Sequence, residues 1–191
     1  MATELGRPFR IALIVLFCFI YGYLAATKNY KVQLTGITCK YNSKYAANAS
    51  CSLTDPPPAV GANFYMQMKS ELKDFRLDLI FYLIRKKAQY LIFKAPDVEA
   101  CVEFPKNDTA VYMQLFKEMT LRAGKWPHCP IPANFYYKFE NITPNTQMLP
   151  PFAPEVSFKM VFNMKERKES VLEVAVFGKV NRNNLKGKRT H

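Results

Sequence analysis

From Phe75 to Leu83 every second residue is large and apolar: Phe75, Leu77, Leu79, Phe81 and Leu83. That is the period of a strand, whose successive side chains point to opposite faces. The other face opens with Arg76 and Asp78, then turns apolar at Ile80, Tyr82 and Ile84. The same period recurs in Phe64, Met66 and Met68, in Phe135, Tyr137 and Phe139, and in Val156, Phe158, Met160, Phe162 and Met164. It returns in Leu172, Val174 and Val176 within a last strand expected over 171–180. Tyr30 to Cys39 alternates imperfectly through Val32, Leu34 and Ile37, and Tyr90 to Lys94 reads as a short strand ahead of Pro96. Prolines at 56–58, 127, 130, 132, 150, 151 and 154 fall between these runs, where a missing N–H breaks no ladder. About eight short strands with such turns predict a mostly β chain folded as a two-sheet sandwich.

One segment has a different period. Tyr112, Leu115, Phe116 and Met119 recur at helical spacing, which predicts a helix over 108–121. Asn107 or Asp108 could cap its start and Gly124 its end.

The chain begins with Arg7 and Arg10, an apolar run from Ile11 to Leu24, and the small residues Ala25 and Ala26. This is the order of a secretory leader, and the run is shorter than the roughly 20 apolar residues a spanning helix needs. The expected organisation is a leader over 1–26, one sandwich domain over 27–180 and a basic tail over 181–191. A secreted, extracellular chain is also expected from three sequons, at Asn48, Asn107 and Asn141, which as glycan acceptors would lie on the surface.

Beyond Cys18 in the leader, four cysteines remain: Cys39, Cys51, Cys101 and Cys129. An even number in an extracellular chain implies bridges, with three connectivities open. No C-x-x-C occurs and the spacings are wide, which disfavours a metal site. Cys39 and Cys51 fall near the ends of two neighbouring strands, and Cys101 and Cys129 flank the expected helix. The pairing Cys39–Cys51 with Cys101–Cys129 is therefore favoured among the three.

The formal charge is +12 and the chain holds 15 Phe and 11 Tyr. The aromatics can fill a sizeable core, and the charge favours acidic partners or an anionic membrane surface. No nucleic-acid motif accompanies it. The run Arg85-Lys86-Lys87 is a candidate headgroup contact, or simply a solvated hairpin turn. The chain holds two histidines, one of them the last residue, and no triad, H-E-x-x-H or P-loop pattern occurs. The expectation is a non-enzyme without metal or cofactor.

Several elements in order carry a family resemblance: a strand ending in Cys39, then Cys51, then Phe75-Arg76-Leu77-Asp78-Leu79. Val98-Glu99-Ala100-Cys101, a helix and His128-Cys129-Pro130-Ile131 follow. Met148-Leu149-Pro150-Pro151 and Phe177-Gly178-Lys179-Val180 complete the series. From about Cys39 to Val180 the chain resembles small secreted insect proteins related to the CheB-type chemosensory proteins. These are similar in turn to the ML lipid-recognition domains, including the ganglioside activator protein. Glu99 departs from that pattern, in which an Asp two residues before the cysteine is more typical.

The resemblance implies an immunoglobulin-like sandwich whose sheets can part around a lipid or another apolar small molecule. The residues expected to line such a cavity are Phe64, Met66, Phe75, Leu77, Leu79, Phe81, Tyr112, Phe116, Phe135, Tyr137, Phe158, Met160 and Phe162. The same residues at the same period would also build a closed core, because alternation reports burial and not empty space. A second class therefore stays open: a secreted protein-binding module that meets a receptor through surface aromatics such as Tyr41, Tyr45, Tyr65 and Tyr136.

Overall fold

The computed structural model describes residues 30–106, 110–124, 129–144 and 154–182. The leader, Asn107 and the tail beyond Arg182 lie outside these residues. Among the described residues there are eight strands: β1 (Tyr30–Tyr41), β2 (Ala46–Leu53), β3 (Ala62–Met68), β4 (Phe75–Arg85), β5 (Ala88–Glu99), β6 (Tyr136–Ile142), β7 (Val156–Glu166) and β8 (Glu169–Arg182). Two helices, α1 (Ala100–Glu103) and α2 (Val111–Ala123), lie between β5 and β6. The strands form a five-stranded sheet in the order β1-β8-β7-β4-β5 and a three-stranded sheet in the order β2-β3-β6. Every strand pairing is antiparallel. The expected mostly β, two-sheet sandwich is therefore present. Among the described residues no helix is long and apolar enough to cross a membrane.

One irregularity visible in the sequence and two departures from its reading have physical causes. The imperfect alternation of β1 is a bulge: the register with β8 shifts between Leu34 and Gly36. The extra residue resets the period, so Leu34 and Ile37, three apart, both face the opposite sheet. Second, β5 does not stop before Pro96 but runs through it to Glu99. It can do so because β5 is an edge strand and its register shifts between Ala95 and Val98, the two settings in which a strand tolerates proline. Third, the longer helix starts at Val111, with Ala110 as an N-cap that makes no side-chain bond. It ends where expected, with the Gly124 N–H donating to the Thr120 carbonyl. The single helix expected between Cys101 and Cys129 is joined by the one-turn α1, which carries Cys101 itself.

The two bridges are Cys39–Cys51 and Cys101–Cys129, with Cα atoms 6.0 Å and 5.6 Å apart, within the range disulfides span. The first ties β1 of one sheet to β2 of the other. The second brackets α2 and holds it at the side of the sandwich, against β6.

The main core sits between the sheets and under α2, where Met68, Leu72, Phe75, Met113, Ile131 and Leu172 are fully buried. A smaller cluster of Tyr30, Val32, Leu34, Ala59, Ala62, Phe158 and Val180 closes the other end. Phe158 reaches its place there across Gly178. A Cβ on Gly178 would enter the Phe158 ring and lie 2.8 Å from the Gln33 carbonyl oxygen. Gly178→Ala is thus expected to lower stability by about 1–3 kcal/mol, the usual cost of overpacking, in a urea unfolding titration.

Candidate functional site: an apolar cavity between the sheets

The inner faces of the two sheets do not close on each other completely. Between them lies a cavity of about 120 Å³. Its floor is the five-stranded sheet: Leu34 and Ile37 of β1, Leu77 of β4, Met160, Phe162 and Met164 of β7, and Leu172, Val174 and Val176 of β8. The pairings Leu77↔Met164↔Leu172 and Met160↔Val176↔Ile37 show how the ladder sets these side chains in rows. The roof is Ala62, Phe64 and Met66 of β3 with Tyr137, Phe139 and Ile142 of β6. Phe116, Met119 and Thr120 of α2, with Pro144, complete a side wall.

No charged residue lines the cavity, and its surface is almost wholly apolar, although Tyr137 and Thr120 are among the lining residues. The Thr120 hydroxyl is already committed, donating to the Phe116 carbonyl at 2.8 Å within its own helix. Such a surface offers dispersion contacts and release of water, and nothing that would hold an ion. Its volume is of the order of the ~150 Å³ apolar cavity that accepts a benzene molecule.

Seven of the residues expected to line a cavity do so: Phe64, Met66, Leu77, Phe116, Tyr137, Met160 and Phe162. Five described ones do not. Phe75 and Leu79 face inward and belong to the main core but do not border the open space. Phe81 and Phe158 stack on each other with centroids 5.8 Å apart, in or against the second cluster that seals the end of the sandwich. Phe135 lies just before β6, its carbonyl accepting from the Met68 N–H at the end of β3, and is 50% exposed with its ring against Tyr137. The Tyr112 side chain lies outside the described residues. Alternation identified the inward face correctly in four of these cases. It carried no information on where along that face packing leaves space.

The sequence list missed Leu172, Val174 and Val176, although their alternation was visible, and Leu34 with Ile37, which the bulge obscures. Met119 was also legible, one turn from Phe116 on the same helix face.

The carboxylates that cluster do so elsewhere. Arg76 pairs with Asp74, Asp97 and Glu99 at 2.9, 3.0 and 3.2 Å. Lys165 pairs with Asp78 and Asp97 at 2.7 and 3.0 Å. Arg76 and Asp78 alternate with Leu77, so this network covers the outer face of the five-stranded sheet. The Lys165 hydrogen bond holds the Asp97 carboxyl below its ordinary range. Among the described residues no group of His, Cys, Asp or Glu is placed to hold a metal ion.

The basic run occupies the tip of the β4–β5 hairpin. Arg85 pairs with Ala88, leaving Lys86 and Lys87 as a two-residue turn. All three basic residues are exposed. Beside them on edge strand β5, Tyr90, Leu91 and Ile92 are 54%, 55% and 56% exposed. A wider, more polar cleft opens there, lined among others by Leu83, Ile84, Arg85, Lys86, Tyr90 and Ile92.

Of the sequons, Asn48 on β2 and Asn141 on β6 are exposed. Of the surface aromatics, Tyr41 and Tyr136 are exposed at 43% and 56%, and Tyr136 stacks on Tyr65. Tyr45 is instead buried, its hydroxyl donating to Glu169 at 2.7 Å.

Residues 75–160 match a family of proteins of unknown function, DUF1091. No curated protein matches the sequence. Among solved structures, a Niemann-Pick type C2 protein from the Japanese carpenter ant is similar at 12% identity and a TM-score of 0.33, over 70% of this chain and 89% of that one. At that score and identity the likeness carries no argument about what this chain binds.

Proposed function

We propose that this protein is a secreted, non-enzymatic carrier that holds an apolar small molecule between its two sheets. The observation that carries the reading is the cavity itself, about 120 Å³ in volume and lined without a single charged residue. Burial alone supplies the affinity, at about 0.8 kcal/mol for each methylene removed from water. The cavity as it stands suits one ring or a short chain. A longer chain requires the sheets to part, and four lining methionines, Met66, Met119, Met160 and Met164, are side chains that re-pack readily around varied apolar shapes. The titratable clusters serve the outer face and not the cavity, which supports a role without chemistry. The resemblance to chemosensory and lipid-recognition proteins points the same way, and a chemosensory ligand is its narrower form.

The test is native mass spectrometry of protein secreted from eukaryotic cells, followed by organic extraction. A reproducible apolar adduct is expected. A clean apo mass, with no uptake from a panel of apolar compounds, would refute the reading. The alternative would then be a module acting through the stacked Tyr65 and Tyr136 on the outer face of the three-stranded sheet.

The hairpin tip supports an anionic membrane surface as the place of loading or delivery. Lys86 and Lys87 have φ of 49° and 69°, the left-handed pair of a type I′ turn, where Asn-Gly is the favoured sequence. A side chain in that region costs about 1 kcal/mol or more per residue. Stability alone would not select two lysines here, whereas attraction to anionic headgroups would, with the exposed Tyr90, Leu91 and Ile92 beside them to enter the interface. The double variant Lys86→Asn, Lys87→Gly is expected to shift two properties in opposite directions. Thermal unfolding should move up, by about 1–2 kcal/mol of stability. Binding to vesicles containing phosphatidylserine should fall, with wild-type binding weakening as salt rises. Equal binding of both proteins would remove the membrane role.

A further inference from the structure

An antiparallel sheet with one solvated face normally turns polar residues outward. The outer face of the five-stranded sheet departs from that rule over part of its area. Met160, Phe162, Val174 and Val176 line the cavity, so Lys159, Val161, Ala175 and Phe177, which alternate with them, point away from it. The register carries this outward set across the sheet. One row runs Leu91, Tyr82, Lys159 and Phe177, and the next runs Lys94, Ile80, Val161 and Ala175. On the hairpin side lie Ile84, Ser157 and Lys179. The apolar turn that β4 takes at Ile80, Tyr82 and Ile84 is thus one part of a band that crosses the sheet. These rows hold three lysines and no carboxylate. The carboxylates stand at the margins. Asp78 and Glu173 flank Asn163 in the following row, and Glu155 precedes β7, accepting from the Arg182 N–H. Lys159 lies at the centre of the band, its ammonium 5.9 Å from the Tyr82 ring centroid and 5.7 Å from that of Phe177, within cation–π range. Lys94 and Lys179 are exposed on either side of it.

We infer that this band lies flat on an anionic membrane surface, with its lysines at the phosphates and its aromatic and aliphatic side chains at the edge of the acyl layer. The inference rests on the membrane reading of the hairpin and extends it from a loop tip to a sheet face, since Arg85 follows Ile84 directly at one corner of the band. Lysine stems can lie along an apolar strip while their ammonium groups reach anionic headgroups. A second copy of this chain on the same face would set lysine against lysine. A protein partner would put Lys159 in the dry middle of its interface, where charged residues are depleted. A headgroup layer keeps that ammonium paired and wet.

The test is co-sedimentation with vesicles of phosphatidylcholine and phosphatidylserine at low salt. It is joined to nitroxide labels at Ser157→Cys on this face and at Gln67→Cys, exposed on the outer face of the other sheet. Wild type is expected to bind. Lys159→Glu with Lys179→Glu should bind at least about thirtyfold more weakly. On vesicles the Ser157 label should become shielded from a water-soluble relaxing agent, and the Gln67 label should stay accessible. If the charge variant binds as wild type does while Lys86→Asn, Lys87→Gly loses binding, the inference is overturned and the hairpin reading stands. Equal accessibility of the two labels on bound protein overturns it as well. A wild-type dimer that immobilises the Ser157 label without vesicles gives the face to a second copy and also overturns it. Failure of wild type to bind the vesicles removes the hairpin reading and the inference together, and leaves an acidic protein as the occupant to seek.

Discussion

Val176→Trp is expected to abolish uptake of apolar ligands while leaving the chain folded with both bridges intact. Val176 pairs with Ile37 on one side and Met160 on the other, and all three line the cavity. An indole in place of an isopropyl group adds a bulk comparable to the space available, since a cavity of about this size holds one benzene. Ligand and indole would compete for the same volume. Affinity for a ring-sized probe should fall at least about a hundredfold, roughly 2.8 kcal/mol, because the occupied cavity admits nothing until the sheets part. The cost to folding is smaller, about 1–3 kcal/mol if the ring strains its neighbours, and is offset by the void it fills. Equilibrium dialysis with acetophenone reads the first quantity and urea unfolding the second. A folded variant that binds like wild type would place the ligand elsewhere, with the polar cleft by the hairpin as the next position to examine.

The second large effect is expected from the bridge Cys101–Cys129. The two cysteines are 28 residues apart, against 12 for Cys39–Cys51. Closing the longer loop restricts the unfolded chain more, by about 3.5 kcal/mol against about 3 kcal/mol on the loop-entropy estimate. Cys101→Ala with Cys129→Ala is therefore expected to lower stability by about 3–4 kcal/mol, the larger loss of the two. It should do something further that the first bridge would not. The segment it closes contains α2, whose Phe116, Met119 and Thr120 form the side wall of the cavity. That helix has no side-chain cap at its start and leans on the core through Met113 and through Phe116, whose ring meets Phe104 and Phe162. Without the bridge, amide exchange in α2 should quicken and ligand affinity should fall with it, while the β4–β7–β8 ladder stays protected. Uniform loss of protection across both sheets would mean that α2 is not a separable wall.

The two results separate contributions to the site that the sequence reads unequally. The strands were legible because each carries its own period: β4, β7 and β8 alternate over most of their length, and prolines mark the gaps. The pairing of cysteines was legible as the favoured one of three because each pair brackets a recognisable element. One strand was cut short where a local rule was overridden, and the faces of another could not be read. Pro96 lies within β5 because an edge strand at a bulge needs no N–H there, and edge position is a property of the sheet, invisible in the residues. Leu34 and Ile37 share a face only because a bulge in β1 resets the count.

The cavity lining shows the limit more sharply. Phe75, Leu77, Leu79 and Phe81 are one uninterrupted alternation, and nothing in their order distinguishes Leu77, which lines the cavity, from Phe75 and Leu79, which pack solidly, or Phe81, which stacks on Phe158. The difference comes from what lies across from each. Phe75 and Leu77 belong to one core cluster, but only Leu77, in a row with Met164 and Leu172, borders the cavity floor.

By itself, then, the sequence determined which face of β3, β4, β6, β7 and β8 turns inward, that α2 is helical and which cysteine pairing is favoured. These follow from side-chain periodicity and chain connectivity, both local quantities. The tertiary structure alone decided the order of strands in the sheets, the side on which the bulges fall, and where the inward faces fail to meet. Strand order is set by pairings between residues far apart in the chain. Empty space is the difference between two packed surfaces, so no residue on either surface encodes it alone.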